Sequence, residues 1–321
     1  MLLNALYVAI GVVLLTTGGE ALIRGALAAA MRMGVSPLLS GLLIVGFGTS
    51  APELVVSVEA ALHHQPDIAI GNVVGSNISN VMLILGVCAL ITPLAVKPLA
   101  LRRDGITVVI ASVLFLVLAG GHALARSDAA ILLLALIAYL SWAYWTERTG
   151  SAPSAELHQA EGHEIASVPK SALWILMAIA LGLALLIAGA QILLKGAVGI
   201  AESLGVSQAV IGLTLVAVGT SLPELSVSVI AALRRHADVA IGNILGSNIF
   251  NLLGILGVSA LLKPLPVHER ILHFDQWVML GTSLILMIFL HTGNRLSRLE
   301  GGLLVMGYAA YLLLSFTTFS M

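Results

Sequence analysis

The sequence predicts an all-α membrane protein with ten transmembrane helices in two inverted five-helix repeats, and three observations carry that prediction. Of 321 residues, 59% are hydrophobic and 10% charged, with a mean hydropathy of +1.06, a balance that water-soluble domains of this length do not show. Apolar stretches near the ~20 residues that cross a bilayer as helix recur about ten times. A heptapeptide also occurs twice inside such stretches: Gly48-Thr49-Ser50-Ala51-Pro52-Glu53-Leu54 returns as Gly219-Thr220-Ser221-Leu222-Pro223-Glu224-Leu225.

The expected spans are 3–27, 37–62, 68–92, 106–121 and 128–146, then 172–198, 208–233, 239–262, 276–291 and 301–319. The first lacks the basic leader of a cleavable signal and has a counterpart in the second half, so it reads as structure. Its Arg24 and the matching Lys195 lie near span ends, where long basic side chains snorkel, and Glu20 is the i,i+4 partner of Arg24. Spans two and seven hold the heptapeptide. Spans three and eight open on Asp67 and Asp238, acids that a helix N-terminus favours. Cys88 falls within span three, which leaves no disulfide framework and no cysteine metal site; it reads as core packing. Uninterrupted runs such as Ala129 to Ala138 exclude the alternating strands of a membrane barrel. Trp142, Tyr144, Trp145 and Tyr308 read as interfacial anchors.

The duplication has a fixed offset of 171, linking Thr49 to Thr220, Glu53 to Glu224, Asp67 to Asp238 and Asn80 to Asn251. Across 41–86, roughly three positions in five are identical to their partners, far beyond shared apolar composition. The expected organisation is a first repeat at 1–146, a linker at 147–170 and a second repeat at 171–321. Five spans per copy is odd, so the second copy enters the membrane from the opposite side, the arrangement of secondary transporters with a site near the midplane. Cytoplasmic loops carry an excess of Lys and Arg. With an external N-terminus, those loops hold Arg32, Lys97, Arg102, Arg103, Arg148, Lys170, Arg234, Arg235, Arg295 and Arg298, against Arg126, Lys263 and Arg270 outside. Both termini are therefore expected outside a plasma (inner) membrane. The linker, rich in Ser, Ala, His and Glu, reads as a solvated connection too short for a folded domain. With a net charge of -1 and no basic patch, nucleic acid is not an expected partner.

An acidic side chain near the middle of a bilayer is costly and marks a functional site. Thr49 and Glu53 are four apart, as are Thr220 and Glu224, so hydroxyl and carboxylate share a helix face. Pro52 and Pro223 are expected to interrupt the helical ladder and free the carbonyls of Gly48 and Gly219, which at such depth must line a cavity or be buried in protein. Ser76 and Asn80, and Ser247 and Asn251, share faces of the partner helices, each within Asp-x-Ala-Ile-Gly-Asn-x-x-Gly-Ser-Asn-Ile-x-Asn. The small residues and serines suit helix packing equally well. Carboxylate, hydroxyl and carbonyl oxygens together form the hard ligand set that Ca²⁺ takes, and Na⁺ accepts the same chemistry.

At these residues the chain resembles the cation/Ca²⁺ exchanger superfamily, and within it the prokaryotic Na⁺/Ca²⁺ exchangers, over essentially its whole length. The resemblance implies antiport of about three Na⁺ for one Ca²⁺ by alternating access, without a cofactor. It carries metal ligands onto Thr49, Ser50, Glu53, Ser76 and Asn80, onto Thr220, Ser221, Glu224, Ser247 and Asn251, and onto the backbone carbonyls of Gly46 and Ala217. Relatives often have an acid where this chain has Asn251, so two formal charges remain rather than three, which argues against K⁺ coupling. H⁺/Ca²⁺ exchangers resemble Gly-Asn-Ala-x-Glu at the signature, and the extra hydroxyls here favour Na⁺. A channel is disfavoured because the duplication closes a site within one chain. An enzyme is not expected, since neither His-Glu-x-x-His nor Gly-x-Ser-x-Gly occurs. Spans one and six are expected to move against a core of spans two, three, seven and eight. Gly18, Gly19 and Gly189 suit pivots or close packing. Protein partners are not legible.

Overall fold

The computed structural model describes residues 1–95, 98–149, 171–204 and 219–319. Its helices are α1 (Leu2–Met33), α2 (37–49), α3 (Ala51–Leu62), α4 (Pro66–Ile91), α5 (Pro98–Ala119) and α6 (Arg126–Thr149). The second half contributes α7 (Ala172–Ser203), α8 (Leu222–Leu233), α9 (Ala237–Leu262), α10 (271–293) and α11 (Arg298–Phe319). Among the described residues six helices are long and apolar enough to cross a membrane, or seven if the pair α2 and α3, bent by 47°, is one span. α5 and α11 have 22 residues each. α8 is the described part of the expected seventh span; 208–218 lie outside the described residues, as do 150–170 of the expected linker. α6 continues to Thr149, three residues into that linker.

Several helices run past the expected span ends: α1 continues to Met33, α5 begins at Pro98 and α7 continues to Ser203. α1 and α7 have 32 residues each, about 48 Å of helix, against a hydrocarbon core of ~30 Å. They pack along one another, and glycines set how closely. A Cβ on Gly18 would lie 2.9 Å from the Gly182 carbonyl oxygen, and one on Gly189 would lie 2.9 Å from the Leu15 nitrogen. The close-packing reading of these glycines therefore applies: backbone meets backbone where small residues permit it. α1 ends at Gly34, whose φ of 66° lets its N–H reach the Ala30 carbonyl.

α4 and α9 form the centre. Their most apolar stretches are 72% and 83% buried, against 33% for α1 and 22% for α7. The halves are interleaved around this pair: α6 packs on the end of α9, and α11 on the end of α4. Two short antiparallel pairs tie the halves at their ends, Leu94–Ala95 with Arg295–Leu296 and Ala123–Leu124 with Leu265–Pro266. Asp67 and Asp238 sit in the first turns of α4 and α9, as expected for helix starts, and Cys88 is fully buried. The Glu20–Arg24 pair forms at 2.8 Å, and Arg234 lies 3.4 Å from the same carboxylate.

Three expectations change. Arg103 is not a loop residue: it is buried in α5, where its guanidinium meets Asp104 at 2.6 Å and Tyr139 donates to the same carboxylate at 3.0 Å. Loop counting placed it in a cytoplasmic loop because it follows Arg102 and precedes the apolar run. Tyr308 is partly buried, its ring 6.2 Å from that of Tyr311, rather than an anchor at a span end. Pro52 and Pro223 do not interrupt a helix; they occupy the first turns of α3 and α8, where a missing N–H is harmless. The break itself is at Ser50 (φ -80°, ψ 9°) and Ser221 (φ -88°, ψ 8°).

The Arg103–Asp104 pair gives a stability prediction. Asp104→Ala leaves a guanidinium buried without its carboxylate, which costs about 3–5 kcal/mol, so the thermal midpoint in detergent should fall by many degrees. An unchanged midpoint contradicts the assignment.

Candidate ion-binding site

The helix breaks at Ser50 and Ser221 aim two N-terminal turns, those of α3 and α8, at each other. Glu53 and Glu224 lie in these turns and are each 1% exposed. The halves cross-connect them. Ser50 Oγ donates to Glu224 Oε1 at 2.9 Å, and Ser221 Oγ donates to Glu53 Oε1 at 3.5 Å. A positive helix end facing each carboxylate favours negative charge there.

The central helices close the site from the other side. Ser247 Oγ donates to the Gly46 carbonyl at 3.0 Å, and Thr49 Oγ1 reaches the same carbonyl at 3.3 Å and Asn243 Oδ1 at 3.1 Å. Both hydroxyl residues are buried. Ser76, the counterpart of Ser247, is 6% exposed on α4, and Thr220, the counterpart of Thr49, is half-buried. Ala217, the counterpart of Gly46, lies outside the described residues. Asn80 and Asn251 are buried at the start of π-helical turns, Asn80–Leu85 and Phe250–Ile255, a local widening common at functional positions. The structure therefore brings Gly46, Thr49, Ser50, Glu53, Asn80, Ser221, Glu224, Ser247 and Asn251 into one neighbourhood: hydrogen bonds join Gly46 with Thr49 and Ser247, Ser50 with Glu224 and Ser221 with Glu53, and α3 and α8 pack on the turns that hold Asn251 and Asn80.

Four buried oxygens in it accept no hydrogen bond among the described residues: Glu53 Oε2, Glu224 Oε2, Asn80 Oδ1 and Asn251 Oδ1. A buried acceptor without a donor is costly. All four are acceptors, which a cation or a hydrogen-bond donor such as water can satisfy.

Sequence reasoning missed a polar scaffold behind these atoms. Asn72 Nδ2 donates to the Glu53 carbonyl at 3.2 Å and to Ser57 Oγ at 2.9 Å. Asn243 repeats this on Glu224 and Ser228 at 3.2 and 2.8 Å. Each bracket fixes the helix turn bearing a glutamate. Asn77 and Asn248 join the central helices to each other. The signal was present, since 57, 72 and 77 map to 228, 243 and 248 by the same offset of 171 with identity preserved.

The sodium/calcium exchanger protein family matches residues 3–145 and 174–317. The chain belongs to this exchanger family. Among its relatives, the exchanger MaX1 of Methanosarcina acetivorans is 36% identical, covering 98% of each chain. The putative antiporter CaxA of Alkalimonas amylolytica is 36% identical over 99% of this chain and all of the other. The sodium-calcium exchanger NCX_Mj, in crystals soaked with 2.5 mM Na⁺ and 0.1 mM Ca²⁺, matches with a TM-score of 0.81 and 31% identity over the full length of both chains. This exchanger-family chain is accordingly a multi-pass integral membrane protein with the NCX_Mj fold.

Proposed function

We propose that the protein is a secondary antiporter exchanging Na⁺ for Ca²⁺ by alternating access, with the cations held between the two halves. The observation that carries this reading is the set of four buried oxygens on Glu53, Glu224, Asn80 and Asn251 that have no partner among the described residues. Two carboxylates, hydroxyls and carbonyls supply the hard donors that Ca²⁺ takes, and family membership supports the choice of ions. Glu53 and Glu224 are the central ligands. Ser50, Ser76, Ser221, Ser247, Thr49, Thr220, Asn80, Asn251 and the Gly46 and Ala217 carbonyls complete the Ca²⁺ and Na⁺ sites.

In this reading the chain makes ten crossings in two inverted repeats, 1–146 and 171–321, joined by a cytoplasmic linker at 147–170. Both termini are outside the inner membrane. α1 and α7, long, peripheral and packed on each other, move against the core of α2, α3, α4, α8 and α9. Two glutamates balance one Ca²⁺. Three Na⁺ leave one positive charge over, so each cycle moves net charge worth ~2.3 kcal/mol per 100 mV.

Inverted vesicles test both the ions and the charge. An imposed Na⁺ gradient should drive Ca²⁺ uptake, a pH gradient alone should not, and a clamped membrane potential should shift the rate. Uptake driven by pH without Na⁺ would instead establish H⁺/Ca²⁺ exchange. Unitary currents would establish a channel.

A further inference from the structure

Two backbone carbonyls fix the polarity of four side-chain amides at the centre of the molecule. A carbonyl oxygen only accepts. The group 3.1 Å from the Asn248 carbonyl must therefore be Asn77 Nδ2, and the group 3.2 Å from the Asn77 carbonyl must be Asn248 Nδ2. Asn77 and Asn248 consequently turn Oδ1 the other way, and an amide oxygen also only accepts. It follows that Asn251 offers Nδ2 to Asn77 Oδ1 at 3.0 Å, and Asn80 offers Nδ2 to Asn248 Oδ1 at 3.0 Å. The atoms left over are Asn80 Oδ1 and Asn251 Oδ1, two of the four buried oxygens that accept no bond among the described residues.

Resting on the exchange reading above, we propose that Asn77 and Asn248 are positioning residues that make Asn251 and Asn80 present oxygen, rather than NH₂, to the transported cation. An amide that turned over would aim its positive NH₂ end at the ion and remove a ligand. The backbone anchors prevent this, because neither Asn77 nor Asn248 can reverse without setting its oxygen against a carbonyl oxygen. The same polarity requires a donor at positions 80 and 251, which the neutral amides supply and an ionised carboxylate would not, and the site keeps its two glutamate charges. Each positioning residue acts across the two halves: Asn77 serves Asn251, and Asn248 serves Asn80. That crossed pairing separates positioning from a mere tie between α4 and α9, because a tie has no preferred ligand.

The test is a double-mutant cycle on the purified full-length protein, with CaCl₂ and NaCl as probes and their effect on the thermal midpoint giving apparent affinity. Asn77→Ala should weaken Ca²⁺ binding by about tenfold, the lower end for residues that orient metal ligands. Combined with Asn251→Ala, it should add less than about twofold to the loss from Asn251→Ala alone, since it acts through that residue. Combined with Asn80→Ala, the two losses should multiply. Asn248→Ala should show the reverse pattern, and Asn77→Ser and Asn248→Ser repeat the cycle if the alanine variants do not fold. Losses that multiply in both pairings, or a lower cation-free midpoint with Ca²⁺ affinity unchanged, overturn the proposal alone. A wild-type midpoint that responds to neither salt overturns the exchange reading and this proposal with it.

Discussion

Replacing Glu53 or Glu224 with Gln should lower Na⁺-driven Ca²⁺ uptake by about 30-fold or more while leaving the protein folded. Gln keeps the volume and one oxygen, so packing in the first turns of α3 and α8 is retained, and Ser221 and Ser50 keep a polar partner. What disappears is half of the charge that balances Ca²⁺. Removing one partner of a buried, hydrogen-bonded charge pair costs about 2–5 kcal/mol, and at 1.4 kcal/mol per tenfold that is roughly 30-fold to several thousand-fold. The cation-free midpoint should hold or rise, because a buried carboxylate is itself expensive to keep. The midpoint increase caused by CaCl₂ should vanish. Uptake at the wild-type rate in either variant would refute the assignment of these residues as central ligands.

Gly246→Val should cut Ca²⁺ uptake at least about tenfold, through geometry rather than charge. A Cβ at Gly246 would run into the backbone of Leu42, 2.8 Å from its Cα and in collision with its carbonyl oxygen. A Cβ at Gly46 would lie 2.8 Å from the Asn243 carbonyl oxygen. The π-helical turn Gly41–Gly46 is thus seated backbone to backbone on α9, and no rotamer change relieves the clash. Overfilling a packed site costs about 1–3 kcal/mol. Here it falls on the turn that brings the Gly46 carbonyl to Ser247 Oγ at 3.0 Å. Flux together with apparent Na⁺ affinity measures the effect. Gly34→Asn serves as the control, since Gly34 has φ +66° with nothing within 4 Å of its missing Cβ and Asn tolerates that region. Normal flux in Gly246→Val would show that the seating is dispensable.

Much of this molecule was legible as pattern. The duplicated Thr-Ser-x-Pro-Glu and Gly-Ser-Asn-Ile-x-Asn segments pointed to residues that the fold gathers, because polar atoms deep in an apolar chain are retained only where something compensates them. Arg103 was misread for the same reason in reverse. Its partners Asp104 and Tyr139 lie on its own and a later helix, and periodicity says nothing about a pair that forms only on packing. The role of Pro52 and Pro223 was also hidden. Proline at an N-terminal turn and proline inside a helix look alike until the backbone angles at Ser50 and Ser221 are known.

Composition and repetition by themselves determined the membrane environment, the duplication and the two acidic side chains, since hydropathy and identity at a fixed offset are properties of the chain in order. Only the tertiary structure decided that Ser50 reaches Glu224 rather than Glu53, that Asn77 meets Asn251, and that α2 rests on α9. These contacts join residues 174 to 201 positions apart. Hydrogen-bond direction and backbone clearance exist only once both halves occupy the same space.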